Sequence, residues 1–170
     1  TDCNAGQYSD KGDKSCTVCP AGTYSAPRAA KCAACNLGKF SASANTKSCE
    51  VCPTGKVSSA DRKSCDCCPS GKYIANGGRR CATVDAGNYA TGTCQTAQTQ
   101  CPAGKYSGAG ATSCTACPAG RFSAIGGRSD QDSDPNEQPP HPCGECPLGK
   151  YATKPGSLSC LDCDAGTYAP

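Results

Sequence analysis

The stretch Cys19-Pro20-Ala21-Gly22-Thr23-Tyr24-Ser25 decides how the chain is read. It returns as Cys-Pro-Ala-Gly-Lys-Tyr-Ser from Cys101, as Cys-Pro-Ala-Gly-Arg-Phe-Ser from Cys117 and as Cys-Pro-Leu-Gly-Lys-Tyr-Ala from Cys146. Looser copies begin at Cys3, Cys35, Cys52, Cys68, Val84 and Cys163, so successive copies start 16, 16, 17, 16, 16, 17, 16, 29 and 17 residues apart. A fixed short period marks a tandem array. Here it gives ten repeats, the last cut after its first half.

Each place in the repeat has a physical role. Glycine stands three residues after the leading position in every copy: Gly6, Gly22, Gly38, Gly55, Gly71, Gly87, Gly104, Gly120, Gly149 and Gly166. Pro, Asn or Asp follows the leading residue, and this pattern predicts a type I turn on Cys-Pro-x-Gly. Two residues past the glycine stand Tyr8, Tyr24, Phe40, Val57, Tyr73, Tyr89, Tyr106, Phe122, Tyr151 and Tyr168, which include every aromatic of the chain. Such a row can be a binding strip for sugars or peptides. The favoured reading is a packing ladder that supplies the core. The Gly-x-Tyr-Ser run reads as a short extended arm, and the Ser-Cys before the next repeat, as in Ser15-Cys16, as its return arm.

Composition bounds the fold class. A chain of 170 residues with 19 Cys, one His, no Trp and no Met is a disulfide scaffold by usage. Leu, Ile, Val and Phe are too scarce for a large core. Cysteine at this density implies an oxidising compartment, outside the cell or on the secretory route. No stretch approaches the ~18 apolar residues of a membrane span, and none shows helical periodicity. A net charge of +3 does not argue for nucleic acid or a membrane surface. The start at Thr1, with no initiator Met and no signal peptide, suggests a processed form or a fragment.

The expected fold is therefore small, disulfide-rich and mostly irregular, with short β-hairpins in an elongated tandem-repeat rod of ~16-residue units. Residues 1–83 hold five regular repeats, residues 84–100 an irregular one, and residues 101–170 the remainder with an acidic, Pro-rich insertion at 126–142.

Cysteine spacing suggests bridges within repeats: Cys3–Cys16, Cys19–Cys32, Cys35–Cys49, Cys52–Cys65, Cys68–Cys81, Cys101–Cys114 and Cys146–Cys160, with Cys117–Cys143 the same pair stretched by the insertion. The sixth repeat has Val84 at its leading place and no Cys near Gln98, so both ends of one loop are lost together. Bridges inside each Cys-x-x-Cys would strand Cys81 and Cys101. Cys67 and Cys94 remain as a replacement pair, and Cys163 as a candidate intermolecular thiol. The spacing Cys16-x2-Cys19-x12-Cys32-x2-Cys35 also fits a zinc ribbon. Grouping in fours, however, leaves seven cysteines over, including Cys3, Cys81 and Cys160, where the disulfide scheme leaves one.

Other features give weaker signals. Asp130, Asp132 and Asp134 alternate as in a calcium loop, but Pro135 and His141 occupy the places of its Gly and Glu, which favours a plain acidic surface loop. The residue after the constant glycine is Lys39, Lys56, Lys72, Lys105, Arg121 or Lys150 in six copies; a polyanion could use that row, though a solvated face is the favoured reading. No cofactor is expected. With His141 alone in a Pro-rich loop, no nucleophile–base constellation can assemble, so an enzyme is not expected. No Asn-x-Ser/Thr sequon occurs, while 31 Ser and Thr spread as a hydroxyl-rich surface would, making O-linked glycans an expectation.

The recurring Cys-Pro-x-Gly-x-Tyr-Ser…Ser-Cys-x-x-Cys resembles the ephrin-receptor-like cysteine-rich repeats of extracellular proteins, related in style to EGF-like and TNF-receptor-like modules. The resemblance implies a secreted or cell-surface, disulfide-laddered protein without naming a ligand. Two functions follow as expectations. One is an extracellular structural subunit of a head-to-tail homopolymer, a cell-surface filament or flagellar hair, because arrays without caps expose sticky ends and unlike faces that do not close give open filaments. The other is a receptor or adhesin stalk that binds a protein or glycan.

Overall fold

Ten identical turns start the architecture. In each repeat the carbonyl of the residue after the leading position accepts a hydrogen bond from the N–H three residues on, as from Thr23 to Pro20, Lys105 to Pro102 and Asn88 to Asp85, at 3.0–3.2 Å throughout. The constant glycine is the third residue of this turn, and its φ lies between 75° and 88° in all ten copies. A positive φ at that place with a negative one before it is a type II turn, which asks for glycine. The expected type I turn on Cys-Pro-x-Gly is therefore corrected: the turn begins one residue later, at Pro. The reason is that the leading carbonyl and the glycine N–H, which the type I turn would bond to each other, are both engaged by the following repeat.

The structure is a computed structural model and describes residues 2–75, 77–129 and 142–167. Among these residues there is no helix; strands of two to four residues pair into two-stranded sheets, one of which has a third strand. Gln7–Tyr8 pairs antiparallel with Thr17–Val18, Thr23–Tyr24 with Ala33–Ala34, and Lys39–Phe40 with Glu50–Val51. In these repeats the return arm is thus the dipeptide inside Cys-x-x-Cys and not the Ser-Cys before it, whereas the strands Cys65–Cys67 and Arg80–Thr83 also take in the closing Cys. Register requires this, because the leading Cys N–H of one repeat bonds the glycine carbonyl of the repeat before, as Cys19 to Gly6 at 2.9 Å and Cys117 to Gly104 at 2.8 Å.

The chain divides into two compact units, one of Thr1–Cys68 with Ile74–Ala82 and the other of Pro69–Tyr73 with Thr83–Pro170. In the first, disulfides join Cys3–Cys16, Cys19–Cys32, Cys35–Cys49, Cys52–Cys65 and Cys68–Cys81. In the second they join Cys101–Cys114, Cys117–Cys143 and Cys146–Cys160. Seven of these eight loops span 13 or 14 residues and one spans 26. In the chain-entropy account a loop of that shorter length is worth roughly 3 kcal/mol. Cys67 and Cys94 are likewise disulfide-bonded.

The interior holds cysteines beside the expected ladder. Tyr8, Tyr24, Phe40, Tyr73, Tyr89, Tyr106, Phe122 and Tyr151 are only half-buried. The buried apolar side chains are the leading cysteines Cys3, Cys19, Cys35, Cys68, Cys101 and Cys117 with Cys143, joined by Val57 of the expected ladder and by Val84, Ala90 and Ala152. Cystine sulfur is compact and apolar, so it fills a core too narrow for rings. The aromatics flank this column; Tyr168 lies outside the described residues.

Backbone geometry yields a direct test. A methyl added at Gly104 (φ 77°) would overlap the carbonyl of Gly156, whereas one at Gly92 (φ 78°) would meet nothing closer than 4.0 Å. Gly104→Ala is expected to cost about 2 kcal/mol or more and Gly92→Ala about 1 kcal/mol. Denaturant midpoints of the non-reduced proteins check the difference; equal midpoints would contradict the packing described.

Candidate functional site: the seam between repeats

The seam is made of main chain. The constant glycine of one repeat donates its N–H to the carbonyl after the aromatic of the next: Gly6 to Ser25 at 3.1 Å and Gly22 to Ser41 at 2.8 Å in the first unit. In the second unit Gly71 donates to Ala90 at 3.2 Å, Gly87 to Ser107 at 2.9 Å, Gly104 to Ser123 at 2.8 Å and Gly120 to Ala152 at 2.7 Å. Gly38 departs by donating to the Ser58 hydroxyl at 3.0 Å. The leading carbonyl accepts in return from a loop residue of the next repeat: Cys3 from Arg28, Cys19 from Asn45, Val84 from Gly110, Cys101 from Gly127 and Cys117 from Gly156.

Those donors, together with Arg62, Gly78 and Cys94, occupy a second left-handed position in the second to ninth repeats. Arg28, Asn45, Arg62 and Cys94 have φ between 58° and 63°, and Gly78, Gly110, Gly127 and Gly156 fall between 74° and 86°. Sequence reasoning missed this position because no residue type is constant there; only the tolerance of Asn and Gly for left-handed backbone hints at it. The loop then reaches over the neighbouring repeat to the glycine two repeats back. The carbonyl of Asp61 caps Gly22, that of Gly110 caps Gly71, and that of Gly127 caps Gly87 so closely that no side chain fits. Within each compact unit these repeats therefore touch the next two mainly through backbone.

The serine after the aromatic belongs to the seam. Ser25, Ser41, Ser107 and Ser123 are buried. Ser25 donates to the Gln7 carbonyl and Ser107 to the Asn88 carbonyl of the preceding repeat, both at 2.8 Å. Ser41 and Ser123 donate within their own loops, to the carbonyls of Ser43 and Ile125. A uniform hydroxyl-rich surface is thus corrected for these four, which are structural donors.

The sixth repeat replaces its bridge with a hydrogen-bonded clasp. Val84, fully buried, fills the place of the leading Cys. Gln98, at the place of the closing Cys, accepts from the Asp85 N–H at 2.8 Å and donates to the Asp85 carboxylate at 2.7 Å. One side chain so spans the turn that cystine closes elsewhere.

The basic row divides in two. Lys39, Lys56, Lys72 and Lys105 are exposed. Lys150 pairs across its hairpin with Asp162 at 2.7 Å. Arg121, only 15% exposed, donates to Glu145 Oε1 at 2.7 Å and to the Cys143 carbonyl at 3.1 Å. It clamps the return strand of the 26-residue loop. Asp130, Asp132, Asp134 and His141 lie outside the described residues. Among the described residues no cluster of three or more His, Cys, Asp or Glu could hold a metal ion, and the cysteines of the zinc-ribbon spacing are bridged in pairs. Cys163 carries a free thiol, half-buried, in an open cleft beside Gly120 and Tyr151. No helix among these residues is long and apolar enough to cross a membrane.

Residues 22–58, running from the constant glycine of the second repeat to the middle of the fourth, match the family model described as tyrosine-protein kinase ephrin type A/B receptor-like. No curated protein matches the chain. The matched stretch and its disulfides support a cysteine-rich repeat of ephrin-receptor-like type there, a module of extracellular kind.

Two expected outcomes test the seam. Gln98→Ala should cost about 1 kcal/mol, whereas Val84→Cys with Gln98→Cys should close a new bridge and add roughly 3 kcal/mol; non-reducing peptide mapping and denaturant midpoints check both. Asp61 is held below the ordinary carboxylate value of 3.8 by the Ser59 hydroxyl and then by the Lys63 N–H. A depressed pKa gives stability that is present above the ordinary value and lost as pH falls through the folded one. The Lys63 amide resonance should stay constant from neutral pH to that range and move only below it, and Asp61→Asn should abolish the movement.

Proposed function

We propose that this array of ephrin-receptor-like repeats is an extracellular structural protein that assembles head to tail into a filament, of the cell-surface filament or flagellar-hair type. The observation that supports the reading is the seam. Its partners are mostly backbone N–H and C=O groups around a bare glycine, with the Ser25, Ser58 and Ser107 hydroxyls added, so recognition between successive repeats depends on few side chains. A face that accepts the next repeat of its own chain has the same groups to offer a repeat of a second copy. Unlike faces joined in this way propagate without closing, and nearest-neighbour stacking is the general mode by which repeat arrays grow. The free thiol of Cys163 would lock a junction covalently in an oxidising compartment. O-linked glycans would sit on exposed hydroxyls such as Thr17, Thr99 and Thr115 and spare the four buried serines.

Electron microscopy of non-reduced protein tests the assembly. Uniform filaments that Cys163→Ser leaves sensitive to dilution are expected; discrete short particles at every concentration would overturn the proposal.

A further inference from the structure

The seam loosens at one place in the first unit. Where the carbonyls of Asp61, Gly110 and Gly127 press on their glycines, the Gly78 carbonyl stands 3.2 Å from the point where a side chain on Gly38 would begin, and the Arg79 stem 3.7 Å. A cleft of about 600 Å³ opens there, lined by Leu37, Gly38, Lys39, Val51, Gly77 and Arg79. Lys39 and Val51 stand opposite each other across the hairpin, while Phe40 and Glu50 form the next pair and project from the other face. Glu50, the acid nearest in sequence to Lys39, is therefore turned away from it. The ion pairs Arg28–Asp2 and Lys63–Asp61 of this unit involve neither Lys39 nor Arg79. The third-repeat side carries exposed apolar groups: Leu37 is 55% and Val51 70% accessible.

We infer that this cleft is a binding site for a short acidic peptide segment that carries an aliphatic side chain next to its carboxylates. The guanidinium of Arg79 offers a planar fork for one carboxylate and Lys39 a point charge for a second. Leu37 and Val51 form the apolar contact, which a sugar polyanion would leave unused. Charge complementarity thus points to carboxylate, and the aliphatic wall to peptide. Every residue of the site lies within one compact unit.

Titration of the full chain with the acetylated, amidated pentapeptide Glu-Leu-Glu-Leu-Glu at low ionic strength, followed calorimetrically and by amide shifts, tests the inference. Saturable binding that moves the Lys39, Val51 and Gly77 resonances is expected. Lys39→Gln with Arg79→Gln should weaken it at least tenfold, as should replacing each Glu of the peptide by Gln. Gly77→Asp puts a carboxylate into open space at a left-handed position that Asp tolerates, and should abolish binding with the fold intact. Absence of saturable binding, equal affinity of the double variant, or equally tight binding of a sulfated oligosaccharide at the same residues would overturn it.

Discussion

A glycine whose N–H is claimed by the next repeat and whose α-carbon is covered by the repeat after that is the constraint on which the fold depends. It requires positive φ for the turn and an absent side chain for the seam, and only glycine meets both. Gly22 shows the two demands together: its N–H bonds the Ser41 carbonyl and the Asp61 carbonyl lies against it. Once this contact is made, the chain has little freedom in how the next repeat is laid down. Strands of two residues suffice, because their register is imposed from outside the hairpin.

The consequence is a division of labour between covalent and main-chain forces. Disulfides close loops within a repeat and act chiefly by restricting the unfolded chain. Hydrogen bonds between main-chain groups join one repeat to the next, and buried serines supply further donors where a core would otherwise hold apolar groups. The sixth repeat shows how far the first of these can be replaced. With Val84 in the core and the Gln98–Asp85 clasp over the turn, the repeat keeps its seam to Gly71 and Gly104-side neighbours, since Gly87 still donates to Ser107 and Val84 still accepts from Gly110.

The period, the disulfide-rich class and the short hairpins were legible in the sequence because they rest on residue types that recur at fixed spacing. The turn type was not, because Cys-Pro-x-Gly and Pro-x-Gly-x frame the same residues, and only the partners of the Gly22 N–H and Cys19 carbonyl distinguish them. The cystine share of the core was less legible: Val57 of the expected ladder is buried with the cysteines, while Tyr24 and Phe122 are half-buried beside them. The left-handed loop position was invisible, since Arg28, Asn45, Cys94 and Gly110 share a backbone conformation and no side-chain chemistry. The cleft at Lys39 and Arg79 depends on a loosening of contact between distant residues, which no spacing rule encodes.

The central claim is that the constant glycines bond forward to the next repeat. Hydrogen-bond scalar couplings in isotope-labelled, non-reduced protein identify the acceptor of each glycine N–H directly. Couplings from Gly104 to the Ser123 carbonyl and from Gly87 to the Ser107 carbonyl are the result predicted. Couplings from Gly104 to Cys101 and from Gly87 to Val84, as turns closed inside each repeat would give, would contradict the account.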